Sequence, residues 1–291
     1  MRCAEADGDI VEIILRKARP EDREKAIEVE SKATPNLSYV GVVFDTFVSD
    51  EVGEFSAAEA DGEVVAIGKF TVVPDGSAWL ETLRVIPERQ GHGIGKRFYD
   101  RFYEVAESRD VPTMRMYTGV KNVVSKGLAE RYGFHLAQTF RGAWMPPAQS
   151  KRGSPGTFRR VTDPERATEL LMPYCEAWGG YLVMNRTFYT LTPALCAHLA
   201  EEGMVYEDPE SGSVLAMGAR FMPEKELHIG LFGGDAKSCL EFAAQEGEER
   251  GVERLSCLFP ASAMVIQGFL TRYGFQLLPS DFIVMEAHLE K

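Results

Sequence analysis

The most informative segment of the sequence is Leu83-Arg84-Val85-Ile86-Pro87-Glu88-Arg89-Gln90-Gly91-His92-Gly93-Ile94-Gly95-Lys96. It predicts a strand that ends in a glycine-rich turn, from which a helix begins. Glycines let backbone N–H groups converge without obstruction by Cβ atoms, and the start of a helix adds a partial positive charge. The turn is therefore predicted to bind an anion, most naturally a phosphate group.

Two common phosphate-binding patterns do not fit this turn. The dinucleotide pattern Gly-x-Gly-x-x-Gly fails because the sixth position counted from Gly91 is Lys96. The P-loop pattern fails because Gly95 and Lys96 are followed by Arg97 rather than by Ser or Thr. A dinucleotide-binding domain and a P-loop enzyme are therefore not expected.

A third pattern, Gln-x-x-Gly-x-Gly preceded by Leu-x-Val-x-Pro, is matched by Leu83, Val85, Pro87, Gln90, Gly93 and Gly95. This combination resembles the acetyl-CoA pyrophosphate loop of the GNAT superfamily of N-acetyltransferases. A second element of that family is also present, with Asn122 at the start of a predicted helix and Gly133-Phe134 at its end. The two elements cover about residues 82–134, and the order of strands and helices extends the resemblance over the first half of the chain.

The resemblance implies an acetyl-CoA site. It implies that the backbone of Leu83, Arg84 and Val85 pairs with the pantetheine arm. It implies that the pyrophosphate is held by N–H groups of Gln90, Gly91, His92, Gly93, Ile94, Gly95 and Lys96, and that Asn122 contacts the cofactor near its thiol end. A flexible strand-to-helix turn is the alternative for the glycines, and a simple N-cap is the alternative for Asn122.

Acetyl transfer to an amine needs a base, because an amine like that of lysine has a pKa near 10.4 and is protonated at neutral pH. Glu81 is the candidate, since period-two alternation puts it on the same side of the strand as Trp79, Leu83 and Val85. A solvated strand carboxylate is the alternative. The family's usual tyrosine acid is replaced by Ala129, so Tyr117 is the candidate acid, with Tyr132 and Ser125 as other nearby hydroxyls.

The pattern of the first half predicts an α/β fold with a mixed sheet. Strands are expected at 11–17, 54–60, 63–73, 77–86 and 112–118, with a last strand or pair of strands from 134 to 144. Helices are expected at 20–33, 93–108 and 121–132, with a helical or irregular stretch at 37–50. The resemblance gives this arrangement as the GNAT acyl-CoA N-acyltransferase fold.

The second half is predicted to be a degenerate copy of the first. Residues 109–134 align without a gap on residues 250–275, at an offset of 141, so that Arg-Tyr-Gly-Phe recurs at 131–134 and 272–275. At the same offset Gln90, Ile94 and Asn122 fall on Leu231, Asp235 and Ala263, and a carboxylate at 235 would repel a phosphate. We therefore predict a catalytic domain at 1–145, a Pro/Gly/Ser-rich linker at 146–156 and a degenerate GNAT-like domain at 157–291.

Composition limits the partners and the compartment. The 291 residues carry 32 Lys plus Arg against 44 Asp plus Glu, a net charge of −12, which disfavours nucleic acid as a partner. The sequence contains neither an apolar run of bilayer length nor a secretory signal, so we expect a cytoplasmic protein that does not bind a membrane. Five scattered cysteines and five dispersed histidines predict neither disulfides nor a metal site.

The leading hypothesis is an N-acetyltransferase that moves an acetyl or acyl group from acetyl-CoA to a primary amine of a small molecule or peptide. Acetyl-CoA and the amine are then the expected partners, no metal is needed, and the acceptor and the oligomeric state stay open. A non-catalytic acyl-CoA-binding or regulatory module is one alternative, for which Ala129 is the main argument. Another is a tandem acyltransferase similar to mycothiol synthase, whose catalytic copy would lie in the second half.

Overall fold

The computed structural model describes residues 12–35, 37–149 and 156–289. The chain divides into two compact units. The first contains the residues up to Val72 together with Leu80–Val111, and the second contains Val73–Trp79 and the residues from Pro112 onward. Residues 150–155 of the predicted linker and the acidic start of the chain lie outside the described residues. The described beginning of the linker forms a short 3-10 turn at Pro147–Gln149.

The first unit is an antiparallel set of strands with helices packed on it. Its elements are β1 (Ile13–Lys17), α1 (Arg23–Ala33), α2 (Val40–Val48), β2 (Glu54–Ala60), β3 (Glu63–Val72), most of β4 (Ala78–Val85) and α3 (Ile94–Ser108). The strands lie in the order β1-β2-β3-β4. Each element lies within a few residues of a strand or helix that the sequence predicts.

Aromatic side chains fill the core of the first unit. The ring of Phe55 contacts the rings of Phe44 and Phe47 at centroid distances of 5.7 Å and 5.5 Å. Helix α3 buries Phe98 and Phe102 on the face that its apolar spacing predicts. A Cβ atom at Gly68 would lie 2.6 Å from the Phe98 ring, so only glycine on β3 lets this helix approach so closely.

The second unit contains the remaining elements. They are β5 (Thr113–Gly119), α4 (Val123–Arg131), β6 (His135–Met145), β7 (Arg159–Val161), α5 (Pro164–Leu171), β8 (Tyr181–Met184), β9 (Thr187–Thr190), α6 (Pro193–Glu201), β10 (Val205–Asp208), β11 (Ser213–Gly218), β12 (Glu226–Gly233), α7 (Ala236–Glu249), β13 (Arg254–Pro260), α8 (Met264–Tyr273), β14 (Gln276–Leu277) and β15 (Phe282–His288). Strands β8 and β9 form a separate pair.

The large sheet of the second unit joins strands from both halves of the sequence. Its order is β5-β15-β6-β13-β12-β11-β10-β7. Strand β15, the last in the chain, lies between β5 and β6, and β6 pairs with β13 on its other side. Pairs β12–β13 and β4–β5 are parallel and those around them antiparallel, which makes the sheet mixed. The segments that align at an offset of 141 residues adopt the same strand-helix order, as β5-α4 and β13-α8.

The fold is that of a mixed α/β protein, as the sequence predicts. Among the helices of the described residues, none has both the length and the hydropathy that crossing a bilayer requires.

Candidate active site

The glycine loop, which we define as residues 90–96, connects a short 3-10 turn to α3. Gly91 and Gly93 have φ angles of +81° and +79°, in the left-handed region that favours glycine. Gly93 is the N-cap of α3. Apart from the chain neighbours of each glycine, no atom of the described residues lies within 4 Å of a Cβ atom built on it, so the space in front of both glycines is open. Backbone conformation, not crowding, therefore requires glycine at these two positions.

The N–H groups of residues 91–95 in the glycine loop are available as donors, whereas those of Gln90 and Lys96 donate to the carbonyls of Pro87 and Gly93 at 3.2 Å and 3.1 Å. Within the described part of the chain, residues 91–95 donate no backbone hydrogen bond. The first amides of a helix have no acceptor inside the helix and carry its partial positive charge. Two side-chain bonds stabilise the loop, because Gln90 Nε2 donates to the Val85 carbonyl and His92 Nδ1 donates to the Gln90 carbonyl, each at 3.0 Å. The arrangement can bind an anionic group.

Strand β4 is irregular just before the glycine loop. Thr82 has a φ of +61°, a left-handed conformation that is rare for a β-branched residue. Its side chain is buried, and its hydroxyl shares a hydrogen bond with the Tyr39 hydroxyl. This conformation interrupts the period-two alternation on which the sequence prediction for Glu81 relied. Simple alternation therefore does not relate the direction of the Glu81 side chain to the directions of Leu83 and Val85.

The Glu81 carboxylate lies on β4 and is half-buried. Its Oε1 atom accepts a hydrogen bond of 2.6 Å from the Thr71 hydroxyl on β3. A bond of this length to a carboxylate fixes the direction of its lone pairs. Glu81 therefore has an oriented carboxylate, which a general base or a water-orienting group requires.

A second carboxylate, Glu30 on α1, lies in the first unit and was not predicted from the sequence. Its side chain is buried, and Oε2 accepts hydrogen bonds from the N–H groups of Tyr39 and Val40 at 3.1 Å and 3.0 Å. Burial raises the pKa of Glu30, against the opposing effect of these two bonds and of the Arg84 charge. Its Oε1 atom and the Nε atom of Arg84 are buried and have no hydrogen-bond partner among the described residues. No sequence motif marks Glu30, because its burial and its hydrogen bonds depend on the fold.

The other predicted site residues lie in the second unit. Tyr117 is half-buried, and its ring stacks on that of Trp79 at a centroid distance of 5.8 Å and an interplanar angle of 5°. Asn122 caps α4, because its Oδ1 accepts from the Ser125 N–H at 3.1 Å. The N-cap alternative is thus realised, while the exposed Asn122 Nδ2 group remains available to a ligand. Ala129 is buried in α4 and offers no hydroxyl.

The segment before α7, which corresponds to the glycine loop in the second half, is closed. Asp235 caps α7 by accepting from the Lys237 N–H at 3.1 Å and from the Ser238 hydroxyl at 2.6 Å, and the hydrogen bond from Ser238 lowers the pKa of this carboxyl. A Cβ atom at Gly233 would lie 2.1 Å from the Tyr174 ring, whereas the space at Gly93 is open. Since Asp235 and Gly93 are both N-caps, the structural correspondence is shifted by one residue from the sequence alignment.

Comparison with known proteins identifies one domain of the chain. Residues 15–134 match the model of the acetyltransferase (GNAT) family, and this segment runs from within β1 past the end of α4 and includes the glycine loop. The model describes a family of acetyltransferases, so this match supports an acyltransferase. Residues 15–134 form a domain of the GNAT acetyltransferase family.

Solved structures that resemble the whole chain have low sequence identity to it. A GCN5-related N-acetyltransferase from Sphaerobacter thermophilus is 17% identical with a TM-score of 0.68, and 96% of each chain is covered. A GCN5-related N-acetyltransferase from Kribbella flavida is 15% identical with a TM-score of 0.56, over 96% of this chain and 71% of that one. A tandem GNAT protein from the clavulanic acid biosynthesis pathway is 13% identical with a TM-score of 0.64, over 96% of this chain and 99% of that one. No curated protein matches the sequence.

Proposed function

We propose that the protein is a cytoplasmic N-acetyltransferase that transfers the acetyl group of acetyl-CoA to a primary amine. The catalytic copy is the domain at 1–145, and the domain at 157–291 is a degenerate copy that supports it. The open glycine loop carries this proposal, since its N–H donors at the start of α3 suit a pyrophosphate. In the part of the chain that the structure describes, the four cysteines are free, which supports a reducing compartment.

The cofactor in this proposal extends along β4 and the glycine loop. The pyrophosphate accepts hydrogen bonds from the backbone of residues 91–95, and the pantetheine arm pairs with the backbone of residues 83–85. The left-handed conformation of Thr82 supports this pairing, because such an irregularity interrupts the regular ladder next to it. The Nδ2 group of Asn122 then contacts the cofactor near its thiol end, while Oδ1 caps α4.

The reaction in this proposal is direct attack of the amine on the thioester. Glu81 removes a proton from the ammonium form, directly or through a water molecule, and the neutral nitrogen attacks the acetyl carbonyl carbon. In the tetrahedral intermediate the attacking nitrogen carries a positive charge, and it loses its second proton to solvent. The intermediate collapses when the C–S bond breaks, and the electron pair leaves on sulfur. Tyr117 protonates the thiolate in this scheme. A thiol with a pKa near 8.5 is also able to leave as the thiolate, so the loss of Tyr117 would slow the reaction without abolishing it.

The second copy is proposed not to bind acetyl-CoA. The Asp235 carboxylate occupies the start of α7, where a phosphate would have to accept hydrogen bonds from the same N–H groups. A phosphate would also meet like charge there, which costs about 1 kcal/mol at 4 Å even in bulk water and more at a protein surface. The Tyr174 ring fills the space in front of Gly233.

The test is a CoA-release assay with acetyl-CoA and a panel of primary amines: polyamines, aminoglycosides, amino acids and peptides. We expect amine-dependent release of CoA with at least one class, together with a mass increase of one acetyl group on the acceptor. Glu81→Gln serves as the inactive control. Tight binding of acetyl-CoA without turnover of any amine would contradict the proposal and favour a binding module.

A further inference from the structure

Three side chains with metal-ligating atoms converge on one face of the sheet of the second unit. Glu286 and His288 are two residues apart on β15, so their side chains leave the strand on the same side. His135 on β6 is the register partner of Glu286. The sequence prediction of no metal site relied on spacing along the chain, and the pairing of β15 with β6 brings together residues more than a hundred positions apart.

The three side chains are close enough to share one ion. One ligand atom from each lies within 4.8 Å of the others. His288 Nε2 is 2.9 Å from Glu286 Oε1, and the rings of His135 and His288 have centroids 5.6 Å apart. Ligands at about 2.0–2.1 Å from a tetrahedral Zn²⁺ are separated by roughly 3.3 Å. Both histidines are exposed and can make this small adjustment by side-chain rotation.

Neighbouring groups hold two of the three ligands in place. The Nδ1 atom of His288 is 3.2 Å from the hydroxyl of Thr113, its register partner on β5. When Nδ1–H donates to that hydroxyl, the lone pair is on Nε2, which faces Glu286. Metal-ligating histidines usually have such a partner on the other ring nitrogen.

Glu286 is anchored through the oxygen that the cluster does not use. Its Oε2 atom accepts from Arg115 Nε and from the Tyr181 hydroxyl, the latter at 3.3 Å. Arg115 also pairs with Asp75 at 2.8 Å, which balances its charge near the cluster. Oε1 therefore remains directed at His288.

We propose that His135, Glu286 and His288 form a binding site for a divalent transition metal ion, with Zn²⁺ as the best fit. Two imidazoles and one carboxylate are a donor set that Zn²⁺ takes with a fourth position left to water or another ligand. The imidazole nitrogens also disfavour Mg²⁺ and Ca²⁺, which prefer oxygen ligands. The site lies in the second unit and joins β15 to β6, so metal binding stabilises the pairing of these two strands.

A metal-free ion pair between His288 and Glu286 is the rival explanation for the same geometry. It needs no contribution from His135, whereas a three-ligand site does. His135 therefore distinguishes the two explanations.

The test is isothermal titration of the full-length chain, without an affinity tag, with ZnCl₂. We expect one ion per chain and a Kd that rises about tenfold or more in His135→Ala and in His288→Ala. His198→Ala, in a half-buried histidine outside the cluster, is the matched control and should bind as the wild type does. Thr113→Val should weaken binding less than the loss of a ligand, because it removes only the hydrogen bond to Nδ1.

Thermal unfolding keeps the test independent of any folding defect in the variants. Zn²⁺ should raise the Tm of the wild type and of His198→Ala, and should not raise that of the two ligand variants, since only a native-state ligand stabilises. The proposal is overturned if the wild type fails to bind Zn²⁺, or if His135→Ala binds it with unchanged affinity and the same increase in Tm.

Discussion

The Thr71 hydroxyl donates a 2.6 Å hydrogen bond to Oε1 of Glu81 across neighbouring strands of the first unit. If Glu81 is the base, Glu81→Gln removes the proton acceptor but keeps a side chain of the same size. We expect kcat to fall about 10²-fold or more while the affinity for acetyl-CoA stays within about twofold. Steady-state kinetics together with titration of acetyl-CoA check this. A kcat near that of the wild type would mean that the base lies elsewhere.

Thr71→Val should have a smaller effect in the same direction. Valine keeps the β-branched shape on β3 but removes the donor, so the Glu81 carboxylate loses its orienting hydrogen bond. A hydrogen bond to a charged group is worth about 1.5–3 kcal/mol, and we expect kcat to fall about tenfold. The double variant Thr71→Val/Glu81→Gln should be no slower than Glu81→Gln alone. Additive losses would show that Thr71 acts independently of Glu81.

Gly93→Val should abolish most of the stabilisation by acetyl-CoA. A ligand that binds only the native state adds about 2.7 kcal/mol at a hundredfold excess over Kd, which appears as an increase in Tm. Gly62→Val is a matched control, because Gly62 also has a positive φ and open space but lies in the turn between β2 and β3. Both variants should lose similar stability without ligand. If acetyl-CoA raised the Tm of both variants equally, the glycine loop would not be part of the acetyl-CoA site.

His228 on β12 should make the protein less stable in mild acid. Burial lowers the pKa of His228 from 6.5 to about 4 in the folded state. Between those two values the unfolded chain binds a proton that the folded chain does not, so the free energy of unfolding falls as the pH drops, by about 3 kcal/mol in full. The free energy of unfolding, measured with denaturant, should therefore differ less between pH 7 and pH 5 in His228→Leu than in the wild type. His198→Leu serves as the control, and identical pH dependence in all three proteins would refute this prediction.

Much of the fold follows from the sequence because its signals are local. The apolar spacing of α3, the hairpin turn at Asp61-Gly62 and the glycine loop each specify one element through neighbouring residues. The order of strands in the second unit does not follow in this way. The insertion of β15 between β5 and β6 depends on pairing between distant segments, for which no local pattern exists.

The candidate active site also combines features with a local sequence pattern and features that depend on tertiary contacts. The glycine loop was predicted with its helix start, because glycine at a positive φ leaves a clear sequence pattern. The irregularity at Thr82 could not be predicted, since a threonine in a strand gives no sign of a left-handed conformation. Glu30 and the cluster of His135, Glu286 and His288 depend on tertiary contacts. Of these, only the Glu-x-His pair on β15 could have signalled a shared face in advance.

We infer that each chain has a single acetyl-CoA site, which is built on the glycine loop of the first copy. The most direct measurement is calorimetric titration of the full-length chain with acetyl-CoA, which gives the number of molecules bound as well as Kd. Because Asp235 and Tyr174 occupy the corresponding space in the second copy, we predict a stoichiometry near one. A stoichiometry of two would contradict the assignment of a degenerate second copy, and the absence of binding would contradict the acetyl-CoA site itself.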